Sequence, residues 1–127
     1  MRVIISNNAG IPIYEQIKEQ IKLTIFSGEL NGDDLLPSVR QLARDLRISV
    51  ITTMRAYSDL EQEGFVVNVH GKGCYVQAQS SDLIREQMLR EVEAGLTAAI
   101  SAAKIAKMSK GELIDVLDVL SREEGYE

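Results

Sequence analysis

The sequence predicts an α+β fold, mostly α, and three patterns carry that expectation. Before residue 64, apolar residues recur every three or four positions in separate stretches, the spacing of one face of a helix. Residues 66–69 and 74–77 are instead rich in β-branched and aromatic side chains. The tight turn His70-Gly71-Lys72-Gly73 between them suits a two-stranded hairpin. Beyond a hinge at Ser80-Ser81-Asp82 the helical spacing resumes. The expected organisation is one module over residues 1–78 and a helical segment over residues 79–127.

Residues 3–5 form a short β-like run that Asn7, Asn8 and Gly10 break. Pro12 suits the first turn of the following helix, where its missing N–H is no loss. Tyr14, Ile17, Ile21 and Ile25 line one face of that helix, and Gly28 is a fitting C-cap. A membrane-surface helix is the alternative, opposed by the mixed charges of Glu15, Lys18, Glu19 and Lys22. Asn31-Gly32-Asp33-Asp34 reads as loop. Ser38, with Gln41 three residues on, has the form of a capping box opening a second helix, whose apolar face is Val39, Leu42, Ala43 and Leu46. Ser49 caps a third helix, with Thr53, Ala56, Tyr57 and Leu60 turned inward and Gly64 at its end. Helix, tight turn, helix and hairpin, in that order, are the parts of a winged helix-turn-helix.

Composition narrows the function classes. The 127 residues leave room for one ordinary domain and a modest extension. No apolar run approaches the ~20 residues that span a bilayer, and the N-terminus lacks a signal-peptide pattern. Cys74 is the single cysteine, so neither an intrachain disulfide nor a multi-cysteine zinc site can form. A cytoplasmic chain with no membrane partner is expected. With His70 the single histidine, no His-based metal cluster is available. No nucleophile elbow surrounds a serine, and His70-Gly71-Lys72-Gly73 lacks the length and following helix of a phosphate-binding loop. Catalytic residues, metal ligands and cofactors are therefore expected to be none, and the chain is not expected to be an enzyme.

A net charge of −5 opposes nucleic acid, because phosphates attract a basic footprint. The distribution softens the objection. Residues 11–80 carry 7 basic and 9 acidic side chains, and residues 81–127 carry 6 and 10, so most of the excess lies in the tail. Ser49, Val50, Ile51 and Thr52 begin the third helix, at the end a recognition helix offers to bases. Hydroxyls there can bond phosphates or base edges, and apolar groups can meet thymine methyls. Capping for Ser49 and core packing for Val50 and Ile51 are the competing roles. Arg40 can reach a phosphate or a guanine, or else form a surface salt bridge. Arg55 can clamp the backbone or pair with Asp59 at i,i+4. At the hairpin tip, His70, Gly71 and Lys72 can touch phosphate or the minor groove, a plain solvated turn being the rival.

Residues 28–76 closely resemble the N-terminal domain of the GntR family of bacterial transcription regulators. Leu36-Pro37-Ser38, Arg40, Leu42-Ala43, Ile48-Ser49, Thr52, Leu60, Glu63-Gly64 and Gly71-Lys72-Gly73 fall where that family's pattern expects them. The likeness covers roughly residues 11–76, and the short tail resembles the YtrA-like subfamily. It implies a sequence-specific transcription regulator, a repressor on a palindromic operator. Double-stranded DNA would be contacted by Ser38, Arg40, the start of the third helix and the wing tip. The subfamily likeness implies control of a neighbouring membrane-transporter operon. Two positions depart from the pattern: Val50 stands where many members carry Arg, and Met54 where basic residues are common. Readout then leans on apolar contacts, Arg40 and the wing. A winged-helix protein-interaction module without DNA affinity is the alternative, which the acidic charge and Val50 would fit.

Ile84, Met88, Val92, Leu96, Ile100 and Ala103 step by three or four along a helix expected to last to about residue 108. Ser109 and Glu112 then open a last helix carrying Leu113, Val116, Leu117 and Leu120. Two helices cannot bury these faces on themselves, and Ala94, Gly95, Ala98, Ala99 and Ala102 permit close approach. A symmetric homodimer is expected, with Ile84, Met88, Val92, Leu96, Ala99, Ile100, Ala103, Leu113 and Leu117 in its seam. Packing on the chain's own hairpin module is the alternative. The tail is too short to enclose a usual ligand pocket of ~300 Å³ or more, so a small-molecule effector is left open.

Overall fold

A computed structural model describes residues 1–7 and 10–126, so the break expected at Asn8 lies outside the described residues. The chain divides into two compact units, Met1–Ser80 and Ser81–Glu127. The first holds α1 (Ile13–Phe26), α2 (Val39–Leu46), α3 (Val50–Gln62), β1 (Val66–Val69) and β2 (Gly73–Val76). The second holds α4 (Ser81–Ile105) and α5 (Lys110–Glu123).

In the first unit α3 packs against α1, α2 and β1. Ile17, Ile21 and Ile25 of α1 and Thr53, Ala56, Tyr57 and Leu60 of α3 are all buried, as their spacing predicts. Leu36, Leu42, Phe65, Val66, Cys74 and Val76 complete the core. Ser38 and Ser49 cap α2 and α3 by accepting the N–H of Gln41 and Thr52, at 3.0 and 3.1 Å. Only the Ser38 half of the expected capping box forms in α2, whereas in α5 Ser109 and Glu112 make both halves. Pro12 stands at the N-cap of α1, one residue before its first turn. The turn between α2 and α3 rests on Arg47 at φ 56, with Ile48 N–H bonded to the Ala43 carbonyl at 3.0 Å.

The hairpin is antiparallel, with Val66 opposite Val76 and Val69 opposite Gly73. A third strip joins it where the sequence suggested only loop. Asp33 N–H bonds the Val76 carbonyl, Val76 N–H the Asp34 carbonyl and Leu36 N–H the Cys74 carbonyl, each at 2.8 Å. The approach is close enough that a Cβ on Gly32 would lie 2.8 Å from the Ala78 Cβ.

Residues 3–5 are not a strand. Their backbone is paired, though, with side chains of α1. Gln20 exchanges two hydrogen bonds with the backbone of Ile4 (2.7 and 2.5 Å), and Gln16 exchanges two with Ser6 (both 2.8 Å). Four residues of helix rise ~6 Å and two residues of extended chain ~6.6 Å, so the spacings match. Val3 is thereby seated in the core and Ile5 against it.

Ion pairs cross from α1 to the far end of α3. Lys18 reaches Glu63 at 2.8 Å and Asp59 at 3.4 Å, and Lys22 reaches Glu63 at 2.7 Å. Lys18 is only 8 % exposed. Burial alone would lower its pKa, but the Glu63, Glu15 and Asp59 carboxylates outweigh that and hold it above the ordinary 10.5. Burial likewise favours a neutral Glu63, and the two lysines overcome it, holding its carboxyl below the ordinary 4.5.

In the second unit α4 ends at Ile105, three residues sooner than expected, with Lys107 at φ 59 and Met108 N–H on the Ala103 carbonyl at 2.9 Å. Ala103 is the one buried residue of α4, and α5 has none. The two helices flank an open apolar trough of about 540 Å³, wider than the sequence suggested but not enclosed.

Removing the charge of Glu63 tests the α1–α3 ion pairs. Glu63→Gln leaves Lys18 with Asp59 at 3.4 Å and Glu15 at 3.9 Å. A loss of about 1 kcal/mol in urea unfolding at neutral pH is expected, below the value for a fully buried pair because solvent screens the Glu63 carboxylate. The lowered pKa of Glu63 makes its contribution present above pH 4.5 and lost as pH falls through the folded value. The raised pKa of Lys18 makes its contribution present below pH 10.5 and lost as pH rises beyond it. Wild type and variant should therefore converge in acid.

Candidate nucleic-acid interface

Three exposed elements of the first unit carry the predicted contacts: the start of α2, the start of α3 and the hairpin tip. At the start of α2, Ser38 and Arg40 are exposed. Tyr57, reaching out from α3, fixes the approach to this end by donating its hydroxyl to the Pro37 carbonyl at 2.7 Å. Burial, and secondarily the nearby Cys74, raise the Tyr57 pKa, which keeps the donor proton in place.

The hairpin tip folds beside the same end of α2. Ser38, Val39, Tyr57, His70, Lys72 and Cys74 are among the residues lining one open hollow of about 430 Å³. The tip itself is a turn closed by Lys72 N–H on the Val69 carbonyl at 2.9 Å, with Gly71 at φ +76. Such a φ at the third turn position is costly for any residue with a Cβ. His70, Gly71 and Lys72 are all exposed. Cys74, at the floor, is pushed up to about 11 by burial first and by the Glu61 carboxylate second, so its thiol stays protonated at neutral pH.

At the start of α3, Val50 and Ile51 are exposed rather than packed in the core. The Ser49 hydroxyl accepts Thr52 N–H and donates to Thr52 Oγ1 at 2.7 Å, so capping occupies it on both sides. Arg55 departs from its expected rival role. Its guanidinium lies over the Tyr14 ring, 3.7 Å from the centroid, while Asp59 is taken by Lys18. Among the described residues Arg40, Arg44, Arg47 and Lys72 make no ion pair, in contrast to the paired lysines of α1. Met54, 54 % exposed on the same side of α3 as Val50, belongs beside the predicted residues. Its position off the inward stripe was the available signal.

The residues expected in a dimer seam all lie in the second unit. Val92, Leu96, Ile100 and Leu117 are exposed, Ile84, Met88, Ala99 and Leu113 are half-buried, and Ala103 is covered within the unit. Leu96, Ala99, Ile100, Ala103, Leu113 and Leu117 line the apolar trough, and Ile84, Met88 and Val92 line a second open hollow nearer the start of α4.

Helix, turn, exposed second helix and glycine-tipped hairpin make the first unit a winged helix-turn-helix DNA-binding domain. The chain belongs to the family of bacterial regulatory proteins named gntR, whose pattern matches residues 13–76. It is 30 % identical over 117 residues to the HTH-type transcriptional repressor YtrA of Bacillus subtilis, covering 92 % of this chain and 90 % of that one. It is 38 % identical over 121 residues to the HTH-type transcriptional repressor NagR of the same organism, of which it spans 46 % of the length against 94 % of its own. A GntR-family transcriptional regulator from Listeria monocytogenes has a similar structure, with a TM-score of 0.69, 30 % identity, and coverage of 87 % of this chain and 96 % of that one. The DNA-binding domain of AraR in complex with operator ORX1 aligns with a TM-score of 0.53 and 28 % identity, over 60 % of this chain and 95 % of that one.

The wing depends on Gly73, which has φ +129 and whose Cβ, if present, would lie 2.9 Å from Leu35 Cδ1. Gly73→Ala is expected to destabilise the first unit by about 1–3 kcal/mol. Amide exchange should locate the loss in residues 66–76, and unchanged exchange there would show that the turn tolerates the side chain.

Proposed function

We propose that the chain is a cytoplasmic, non-enzymatic repressor that binds a palindromic operator as a homodimer. One observation carries the DNA contacts. Arg40 and Lys72, unpaired among the described residues, belong to the two elements that share the Ser38 hollow, while the lysines of α1 are neutralised by carboxylates. Ser38, Arg40, Ser49, Val50, Ile51, Thr52, Arg55, His70, Gly71 and Lys72 are the proposed contacts, Arg55 from the edge of the interface, where its guanidinium lies over Tyr14. The repressor role follows the names of YtrA and NagR, and the operator role the AraR complex. Control of a membrane-transporter operon rests on the YtrA likeness alone. These relatives put operator reading ahead of a protein-interaction module.

Dimerisation is proposed through α4 and α5. Eleven large apolar residues of the unit, from Leu83 to Leu120, are exposed to solvent, and no residue of α5 is fully buried within the unit. Self-complementary pairing removes that surface from water and joins two recognition helices for two half-sites. No effector is required by this reading.

Binding to duplex DNA should weaken linearly in log affinity against log salt, by about 0.9 per phosphate neutralised. Arg40→Ala should cost about 1–3 kcal/mol of operator affinity with an unchanged melting temperature. Unchanged affinity in a gel-shift titration would return Arg40 to a purely surface role.

Cutting the chain after Ser80 should leave a folded monomer, because the first unit has its own core. Its operator binding should fall steeply, since two half-sites about 34–36 Å apart are held together only by linked modules. Leu96→Glu in the full chain should act similarly by placing an unpaired carboxylate in the seam. Sedimentation decides: an intact chain that is monomeric at micromolar concentration, or a truncated one that still dimerises, removes α4 and α5 from the interface.

A further inference from the structure

The outward arc of α3 is apolar at the end that would enter a groove. At about 100° per residue, Thr53, Ala56, Tyr57 and Leu60 face the core, and Arg55 and Asp59 turn toward α1, where Tyr14 and Lys18 hold them. Val50, Ile51, Met54 and Ser58 share the remaining arc, which has no charged residue in its first two turns. Val50, Ile51 and Met54 are 38, 79 and 54 % exposed. At the helix tip the Ser49 hydroxyl is committed to Thr52 as both donor and acceptor, which leaves the Thr52 hydroxyl, off this arc, with its own proton to donate. What α3 offers on this arc at its leading end is therefore three exposed apolar side chains, two aliphatic and one thioether, and little hydrogen-bonding capacity.

Among the base edges in the major groove the matching chemistry is the 5-methyl group of thymine. Resting on the assignment of α3 as the DNA-reading helix, we infer that Val50, Ile51 and Met54 select operator half-sites through thymine methyl groups. Guanine is not read at these positions, because no cation stands there to bond its O6 and N7. Val50 and Met54 are one turn apart, ~6 Å along the helix axis, so with Ile51 they cover about two or three base-pair steps of ~3.4 Å. The half-site carries its methyl-bearing pyrimidines within that short span. Arg40 and the wing supply phosphate affinity, and the apolar arc supplies the discrimination.

The test uses the full-length chain and a duplex selected by it from a random pool. Each thymine of the selected half-site is replaced by deoxyuridine, which pairs identically and lacks only the 5-methyl group. Affinity should fall about four-fold for each methyl that α3 covers, with an unchanged salt slope because no phosphate contact is altered. Ile51→Ala and Met54→Ala, both at exposed positions, should weaken binding to the thymine duplex and lose the response to deoxyuridine. If every deoxyuridine duplex binds like the parent, or if the response persists undiminished in both variants, methyl readout by α3 is overturned while DNA recognition stands. If selection enriches no duplex, the reading of the chain as an operator-binding protein falls and this inference with it.

Discussion

The α1–α3 contact supports everything that the first unit offers to DNA. Two long stripes, Ile17-Ile21-Ile25 and Thr53-Ala56-Tyr57-Leu60, are buried together. Burying such a helix face is worth several kcal/mol at roughly 25 cal/mol per Å² of apolar surface. Hydrocarbon alone leaves the helices free to slide. Glu63, held by Lys18 at 2.8 Å and Lys22 at 2.7 Å, and the Phe26–Phe65 edge contact at 5.7 Å pin the far end. With one face and one end committed, α3 presents its N-terminus outward, and α2 and the hairpin are placed from it.

The same contact reconciles an acidic chain with a polyanionic partner. Glu15, Glu19, Asp59 and Glu63 gather around Lys18 and Lys22, four negative charges against two positive, so an excess of −2 is confined to the α1–α3 ion-pair cluster. Coulomb attraction at ion-pair distance is strong, and salt screens the residual field of such a cluster beyond about 8 Å. Arg40 and Lys72 have no such partners among the described residues and keep their charge available. Net charge counted over the chain misses this partition, because it depends on which carboxylates fold against which lysines.

Much of the fold was legible in the residues because local rules and burial agree. The inward stripes of α1, α2 and α3, the serine caps and the glycine after α3 all follow from helical period and cap chemistry. What stayed hidden involved distant partners. Nothing near Asp33 signals that residues 33–36 lie along β2. Arg55 and Asp59 have ideal i,i+4 spacing, yet Tyr14 and Lys18, some forty residues away in sequence, claim them. The candidate site was readable by position, since Val50, Ile51 and Met54 fall off the buried stripe. Their chemistry as a continuous apolar arc depends on Arg55 lying over Tyr14 and on the Ser49 hydroxyl bonding Thr52, neither of which the spacing signals.

The glutamine pairing of the N-terminal arm shifts where sequence constraint falls. A primary amide presents one donor face and one acceptor, as a peptide unit does, so Gln16 and Gln20 make one side of α1 act as the neighbouring strand that residues 4–6 lack. Because both partners on the arm are backbone groups, residues 4 and 6 are interchangeable among all side chains except proline, which has no N–H. Specificity sits instead in two half-buried helix positions, Gln16 and Gln20, outside the apolar stripe of α1. Conversion of either amide to a carboxylate, the product of ordinary glutamine deamidation, removes the donor to the arm and leaves the arm's carbonyl facing an anion. Chemical ageing of one surface side chain would thus loosen the seat of Val3 in the core, with no change to any residue of the core itself.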